Sequence, residues 1–359
     1  MHDWSAILAE LIAGRDLTSD AVVWAMGEVV RGDATPARLA AFLVALRAKG
    51  ESAGEVAAAA DGLLAHAVQV TVPGTVMDIA GTGGDGTGAV NISTMVALVV
   101  AATGITVVKH GGRASSSPSA GSGDVIEALG IPVDLTPDQV ASAVAEKGVA
   151  YLLASRTHPG MRHAGPVRRE LGVPTIFNLL GPLLNPVRPT HQLVGVADAR
   201  FLPVLADVVA ARGTRALVVR GGDGLDKLTT TTTSQVIEVG AGPVRHTVLD
   251  PRNFGLPLAE PAALRGGDAA ANAAVVRAVL AGAPGPVRDV VLLNAAAARA
   301  TTLDGDLEER IAAALLDCAR AIDSGAAEAV LARLCERPVP PGSLRRRRTR
   351  AAGRPAPGR

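Results

Sequence analysis

A chain of 359 residues, 48% hydrophobic and 19% charged, can bury a substantial core and has room for two structural units. A net charge of +1 gives no electrostatic case for nucleic acid or an acidic partner, and two cysteines, Cys318 and Cys335, point to a reducing compartment without a disulfide framework. The most apolar long stretch, 95–108, is too short for a membrane span and contains Gly104, and the first residues carry Asp3 with no basic lead, so a cytoplasmic protein is expected.

Helical periodicity runs from residue 3 to about 70. Trp4, Ile7, Leu8, Leu11 and Ile12 share one face. Thr18, Ser19 and Asp20 offer caps to a helix over 21–30. Thr35 and Pro36 open a third helix that packs Leu39, Phe42, Leu43 and Leu46, and 52–64 makes a fourth. A small helical domain over 1–72 is expected, joined by a helical return at about 162–182. From residue 76 the texture changes. Short β-branched runs at 77–80, 105–108, 131–133, 150–153, 192–196, 216–219 and 236–239 alternate with helical runs such as 137–147. That alternation predicts an α/β domain over 73–337 with a mostly parallel central sheet flanked by helices. Its last helices are expected at 268–280, 287–298 and 307–334. Residues 338–359 are rich in Pro, Arg and Gly with no apolar period, which predicts a disordered basic tail. The run 345–348 of arginines can bind nucleic acid, but a solvated extension without a dedicated role is the expectation.

Two glycine-rich stretches carry the chemistry. Residues 78–94 read DIAGTGGDGTGAVNIST, a strand, a glycine loop and a helix start in succession. That order lets backbone N–H groups and a helix N-terminus cradle a phosphate. The loop has neither a Walker A lysine nor a GxGxxG pattern. Asn91 opens the helix, as a ligand contact or as a plain cap. Residues 109–130 read KHGGRASSSPSAGSGDVIEALG and follow the next strand. Lys109 at a strand tip faces the ligand edge of an α/β sheet, where its ammonium would meet phosphate as a point charge. His110 beside it donates to a substrate oxygen or braces the loop. Ser115, Ser116, Ser117, Ser119 and Ser122 add hydroxyls at the same edge. A third turn, 221–226, holds Asp223 and Asp226, which suit a hard cation such as Mg²⁺ or a simple Asx turn.

These segments resemble the anthranilate phosphoribosyltransferase family, of the class that also contains pyrimidine nucleoside phosphorylases. The family signatures GTGGDGxxTFNIST, KHGNRxxSS and DGLDE are met here by GTGGDGTGAVNIST, KHGGRASSS and DGLDKL. The long segment HPGMRHAGPVRRELGVPTIFNLLGPLLNP, 158–186, is a further match, as are Gly266-Gly267-Asp268 with Asn272 and the helix holding Asn294. The resemblance runs to about residue 334. It implies an enzyme of tryptophan biosynthesis, a homodimer joined through the helical domain. Such an enzyme transfers the phosphoribosyl group of 5-phosphoribosyl pyrophosphate (PRPP) to the amine of anthranilate. It implies PRPP on Gly81, Gly84, Asp85, Asn91, Ile92, Ser93, Thr94, Lys109, His110, Gly111, Gly112, Arg113, Ala114, Ser115, Ser116, Ser117 and Ser122. Anthranilate would meet Gly81, Gly112, His158 and Arg168. Lys109 and Arg168 would carry catalysis, and one or two Mg²⁺ ions would sit at Ser93, Asp226 and the position of Lys227.

Four positions depart from the family pattern. The loop threonine aligns with Ala89, the amide of KHGNR is Gly112, Ala120 is an extra residue, and the glutamate after the loop aspartate is Lys227. Lys227 puts +1 where a second Mg²⁺ is usually held. Its ammonium either stands in for that ion, leaving a one-metal enzyme, or cripples the site; the first is expected. Gly112 leaves room for a diverged paralogue that takes another arylamine. A non-catalytic nucleic-acid-binding relative, resting on the arginine run, is the other alternative.

Overall fold

The computed structural model describes residues 2–113, 120–240 and 242–337. The expected tail and Ala114 to Ser117 lie outside these described residues. Four helices open the chain: α1 (Trp4–Ile12), α2 (Ser19–Arg31), α3 (Pro36–Lys49) and α4 (Ala53–Leu64). Each starts where a short polar side chain can accept an orphan N–H. Asp3, Thr18, Thr35 and Ser52 do so, and Glu55 returns a bond to Ser52 in a capping box. Their apolar faces bury Met26, Phe42, Leu46 and Leu63 almost completely.

The sheet follows. Its strands and intervening helices are β1 (Met77–Gly81), α5 (Ile92–Ala102), β2 (Val107–Gly111), α6 (Ser122–Ala128), α7 (Pro137–Lys147) and β3 (Val149–Leu153). Short helices α8 (Ala154–Thr157), α9 (Gly165–Leu171) and α10 (Phe177–Leu180) come next, then β4 (His191–Gly195), α11 (Phe201–Ala211), β5 (Arg215–Gly221), β6 (Ser234–Val239) and β7 (Arg245–Leu249). The order is β3-β2-β1-β4-β5-β6-β7, parallel from β3 to β5 and antiparallel beyond. The chain closes with α12 (Ala269–Leu280), α13 (Pro286–Ala300), α14 (Leu307–Asp323) and α15 (Ala326–Cys335). The expected α/β architecture is what forms. Among the described residues no helix is long and apolar enough to cross a membrane.

Among the described residues two large apolar cores sandwich the sheet, and a smaller cluster packs Val140 and Val144 of α7 with Val108, Ala150 and Leu152 of β2 and β3. One joins α5 and α12 to α15 to one face, where the alanines of α13 allow close packing. The other joins α1 to α4 and α11 to the opposite face, and takes in Val167 of α9 and Phe177 and Leu180 of α10. The segment expected as one helix from 162 therefore forms short pieces around Gly172 and Pro174, because a proline cannot extend a helix.

Other expectations need correction. No strand forms at 131–133, where Pro132 removes a donor. The run 307–334 breaks at Gly325, which adopts φ 77° between α14 and α15. β7 has no counterpart among the expected strands: four of its five residues are exposed, so it carries no alternating signal. Lys109 is not at a strand tip. β2 starts two residues later than expected and carries Lys109 opposite Tyr151 and Gly111 opposite Leu153.

Candidate active site

The sheet order turns at β1, whose neighbours β2 and β4 lie on either side, and the crevice beyond such a switch point is where open α/β sheets bind ligands. A cavity of about 610 Å³ opens there. It brings together Gly81, Gly84, Asp85, Asn91, Ser93, Lys109, His110, Gly112, Arg113, Ser122, His158, Arg168, Asp226 and Lys227. Ile92, Thr94 and Gly111 do not line it. Helical geometry turns Ser93 to the cavity and its neighbours Ile92 and Thr94 into the core, where each is at most 1% exposed.

The glycine loop leaves β1 at Gly81 and is fastened on both sides. Thr82 donates its N–H to the Gly195 carbonyl, and its hydroxyl accepts from the N–H of Ala197. Asp85 accepts at one oxygen from the N–H and hydroxyl of Thr87, at 3.0 and 2.9 Å. The Thr87 hydroxyl in turn accepts from the N–H of Ala89. Thr87 thus braces the loop where Ala89 has no hydroxyl. Asn91 stands at the cap position of α5 without capping it. Its amide donates to the Ala120 carbonyl and accepts from Asn272, tying the two loops and α12 together.

Lys109 is 4% exposed, and its ammonium donates to the Ile79 carbonyl at 2.7 Å. Burial pulls its pKa down to about 8, against the pull of Asp78. Asp78 is fully buried, accepts from the N–H of His110 and from Asn185, and burial pushes its pKa up. A carboxylate inside an apolar strand is itself a signal of such a partner, and Asp78 is the buried support of Lys109 and His110 that the motif pattern misses. The His110 ring bonds Thr157 at 3.1 Å and stands edge-on to His158, 5.4 Å away. Burial, with His158 second, lowers its pKa to about 3. His110 therefore braces the loop as a neutral ring. The His158 ring donates to the Leu184 carbonyl at 2.7 Å, and burial lowers its pKa as well.

The turn between β5 and β6 crosses the end of β1. A Cβ on Gly81 would collide with the Asp226 carboxylate, so only glycine admits this approach. Asp226 accepts from the N–H of Gly83 at 2.8 Å and is ion-paired with Lys227. Lys227 also lies 3.9 Å from Asp85. Burial works against the Lys227 charge, but Asp226 and Asp85 outweigh it and hold its pKa above the ordinary value. Asp223 is not available to a cation as expected. Its oxygens accept from the N–H of Leu225 and the hydroxyls of Thr229 and Thr231, which makes it the knot of its own turn. Among the described residues no group of three His, Cys, Asp or Glu is placed to hold a metal. Ser93 and Asp226 bring hard oxygen donors to one cavity; the Asp226 carboxylate already holds Lys227 and the Gly83 N–H, so an ion completed by ligand oxygens would share it with Lys227.

At the far end, α9 presents Arg168. Its guanidinium lies 5.2 Å over the ring of Phe177 and has no hydrogen-bond or carboxylate partner among the described residues. Burial lowers its pKa. In the sequence Phe177 is only one letter of a long match; the stacking that fixes Arg168 needs the turn between α9 and α10.

The helical bundle domain of a glycosyl transferase family matches residues 5–67, and the a/b domain of that family matches 73–328. An anthranilate phosphoribosyltransferase of Salinispora arenicola is 53% identical over 339 residues, which covers 93% of this chain and 96% of the relative. That of Thermobifida fusca is 52% identical, with 91% and 94% covered. The crystal structure of anthranilate phosphoribosyltransferase from Thermus thermophilus superposes with a TM-score of 0.84 at 40% identity, over 92% of this chain and 99% of that one. The Saccharomyces cerevisiae enzyme in complex with PRPP and Mg gives 0.84 at 28% identity, over 92% and 96%. The yeast enzyme has also been solved with 4-fluoroanthranilate, at TM-score 0.83, 26% identity and the same coverage of 92% and 96%.

Proposed function

The chain belongs to the anthranilate phosphoribosyltransferase family, and we propose that it moves the 5-phosphoribosyl group of PRPP to the amine of anthranilate, with release of pyrophosphate, inside the cavity described above. One observation carries this reading. A single cavity joins a glycine loop and two lysines at one end to an arginine that is stacked on an aromatic ring, with no polar partner among the described residues, at the other. The first end suits a pyrophosphate and the second a small carboxylate-bearing aromatic.

The chemistry follows from charge. Breaking the ribose C1–O bond puts positive character on the sugar and negative charge on the leaving pyrophosphate. The α5 N-terminus and the Lys109 ammonium are fixed before the bond breaks, so they stabilise that leaving group without reorganising. One Mg²⁺, held by the Ser93 hydroxyl and the Asp226 carboxylate, would supply further positive charge to the pyrophosphate oxygens. The anthranilate amine is aromatic and unprotonated at neutral pH, so no strong general base is required. His110 and His158 are neutral and engaged, which agrees with that demand. Arg168 aligns the acceptor carboxylate, and positioning supplies much of the rate.

A homodimer through α1 and α3 is part of the same proposal. Ile12 on α1 is 81% exposed and Val44 on α3 is 46% exposed, which leaves an apolar face open on the helical bundle. A cytoplasmic location goes with it. A second acceptor is favoured by one feature: among the described residues the nearest atom to a side chain added at Gly112 is the Ala154 Cβ at 4.0 Å, which leaves spare room at the acceptor end. The test is a PRPP-dependent assay that follows loss of anthranilate fluorescence, run beside a panel of substituted aminobenzoates. Turnover of anthranilate is expected. Turnover of another arylamine without turnover of anthranilate overturns the assignment of the acceptor.

A further inference from the structure

We propose that Lys227 binds the pyrophosphate of PRPP directly, as a tethered cation held in place by Asp85 and Asp226. The inference rests on the reading of this cavity as a PRPP site and adds a ligand-binding residue to it.

The placement comes from the backbone. The β5–β6 turn closes over Gly81, and this puts Asp226 and Lys227 beside the glycine loop rather than behind it. Lys227 remains 18% exposed at its side chain, Asp85 14% and Asp226 3%. All three line the cavity. Two carboxylates facing a phosphate site repel it unless cations cover them. Here the cover is built in: the Lys227 ammonium is paired with Asp226 and lies 3.9 Å from Asp85.

Asp85 changes role in this arrangement. Its first oxygen is occupied by the N–H and hydroxyl of Thr87. Its second accepts from the N–H of Asp226 at 3.4 Å and faces Lys227. Asp85 is therefore a positioning residue that acts through Lys227, and Thr87 fixes its angle. An ammonium has three donors. One is taken by the Asp226 carboxylate, Asp85 at 3.9 Å is attracted by charge without a hydrogen bond, and the remaining donors are left for oxygens in the cavity. Lys109 supplies a second ammonium at the same end, although its nearest countercharge is the buried Asp78, so Lys227 is the cation that faces Asp85 and Asp226. A pyrophosphate can then be held here without the charge of a second ion.

The experiment is titration calorimetry of inorganic pyrophosphate into the full-length protein, first in EDTA and then with Mg²⁺. The wild type is expected to bind in EDTA. Lys227→Met is expected to weaken that binding about 10- to 100-fold, the range for one charge-assisted hydrogen bond. Lys227→Arg should keep it, and Lys227→Glu should bind only with Mg²⁺ and with a steeper Mg²⁺ dependence. Lys227→Gln retains a donor to Asp226 and carries the same test if Lys227→Met does not fold. Equal binding by wild type and Lys227→Met in EDTA overturns the inference, as does wild-type binding that appears only with Mg²⁺. No wild-type binding in either buffer removes the reading of the cavity as a PRPP site, and this inference with it.

Discussion

At the phosphate end of the cavity charged groups hold one another, whereas at the acceptor end they wait. Thr87, Asp85, Lys227 and Asp226 form a continuous chain of contacts, and Asp226 is joined to the backbone of Gly83. Lys109 rests on a carbonyl of β1. Arg168, by contrast, has an aromatic ring beneath it and no polar partner among the described residues, and Gly112 faces open space. The difference teaches where affinity and where choice reside. A preorganised network serves a ligand that never changes. An unpaired guanidinium and a gap define what the second ligand must bring, and both can be altered without disturbing the fold.

The largest test of that contrast is Arg168→Ala. A hydrogen-bonded charge contributes about 1.5–3 kcal/mol, so kcat/KM for anthranilate should fall about 10- to 100-fold. Pyrophosphate affinity and the melting temperature should stay near wild type, because the guanidinium supports no other described side chain by a hydrogen bond. Arg168→Lys should recover little, since an ammonium cannot form the paired, planar bonds to a carboxylate. A matching fall in pyrophosphate affinity would show that the two ends are coupled and break the comparison.

The ends should also differ in pH dependence. Lys109 titrates in the folded protein at about 8, below its ordinary 10.5. Binding of PRPP needs the ammonium, so kcat/KM for PRPP should decline about tenfold per pH unit above 8. Folding responds with the opposite sign. The stability contribution of Lys109 is present above pH 10.5 and is lost as pH falls through 8, because the fold then buries a charge. His110, which packs against the acceptor residue His158, titrates at about 3 against an ordinary 6.5. KM for anthranilate should therefore be flat from about pH 6 to 8. The His110 contribution to stability is complete above pH 6.5 and is lost as pH falls toward 3. A pH–rate profile for each substrate, with melting curves over the same range, checks both signs. A histidine-like inflection near pH 6.5 in KM for anthranilate would contradict a neutral, engaged pair.

The phosphate end is easier to read from sequence than the acceptor end, for a physical reason. Glycine loops, caps and strand tips are local, so residues 78–94 announce a strand, a turn and a helix start without help from elsewhere. What joins the glycine loop to Asp226 is a crossing of distant segments, with Gly83 and Asp226 separated by 143 positions, and spacing carries no trace of it. For that reason Asp223 looks as available as Asp226 in the sequence, and only the turn geometry shows that Thr229 and Thr231 consume it. Lys109 reads as a strand tip because the β-branched run begins at Ile105. The pairing with β3 decides otherwise and carries the strand on to Gly111. At the acceptor end the stacking of Arg168 on Phe177 spans two helices, where periodicity over 162–180 suggests only one.

The smallest expected effect is also the one that most sharpens the contrast. Gly112 has φ outside the left-handed region, and among the described residues a Cβ there meets nothing nearer than Ala154 at 4.0 Å. Gly112→Asn should then fold without strain. A new neutral hydrogen bond contributes about 0.5–1.5 kcal/mol, which corresponds to roughly a two- to tenfold lower KM for anthranilate. The same amide fills space, so substituted aminobenzoates should lose more than anthranilate gains. Pyrophosphate affinity should not move, because the Lys227 and Asp226 contacts do not involve this residue. A rise in KM for anthranilate, paired with a still larger loss for a bulkier arylamine, would mean that the open space at Gly112 belongs to a different acceptor. The acceptor end would then have diverged while the phosphate end stayed fixed, which is the separation its construction permits.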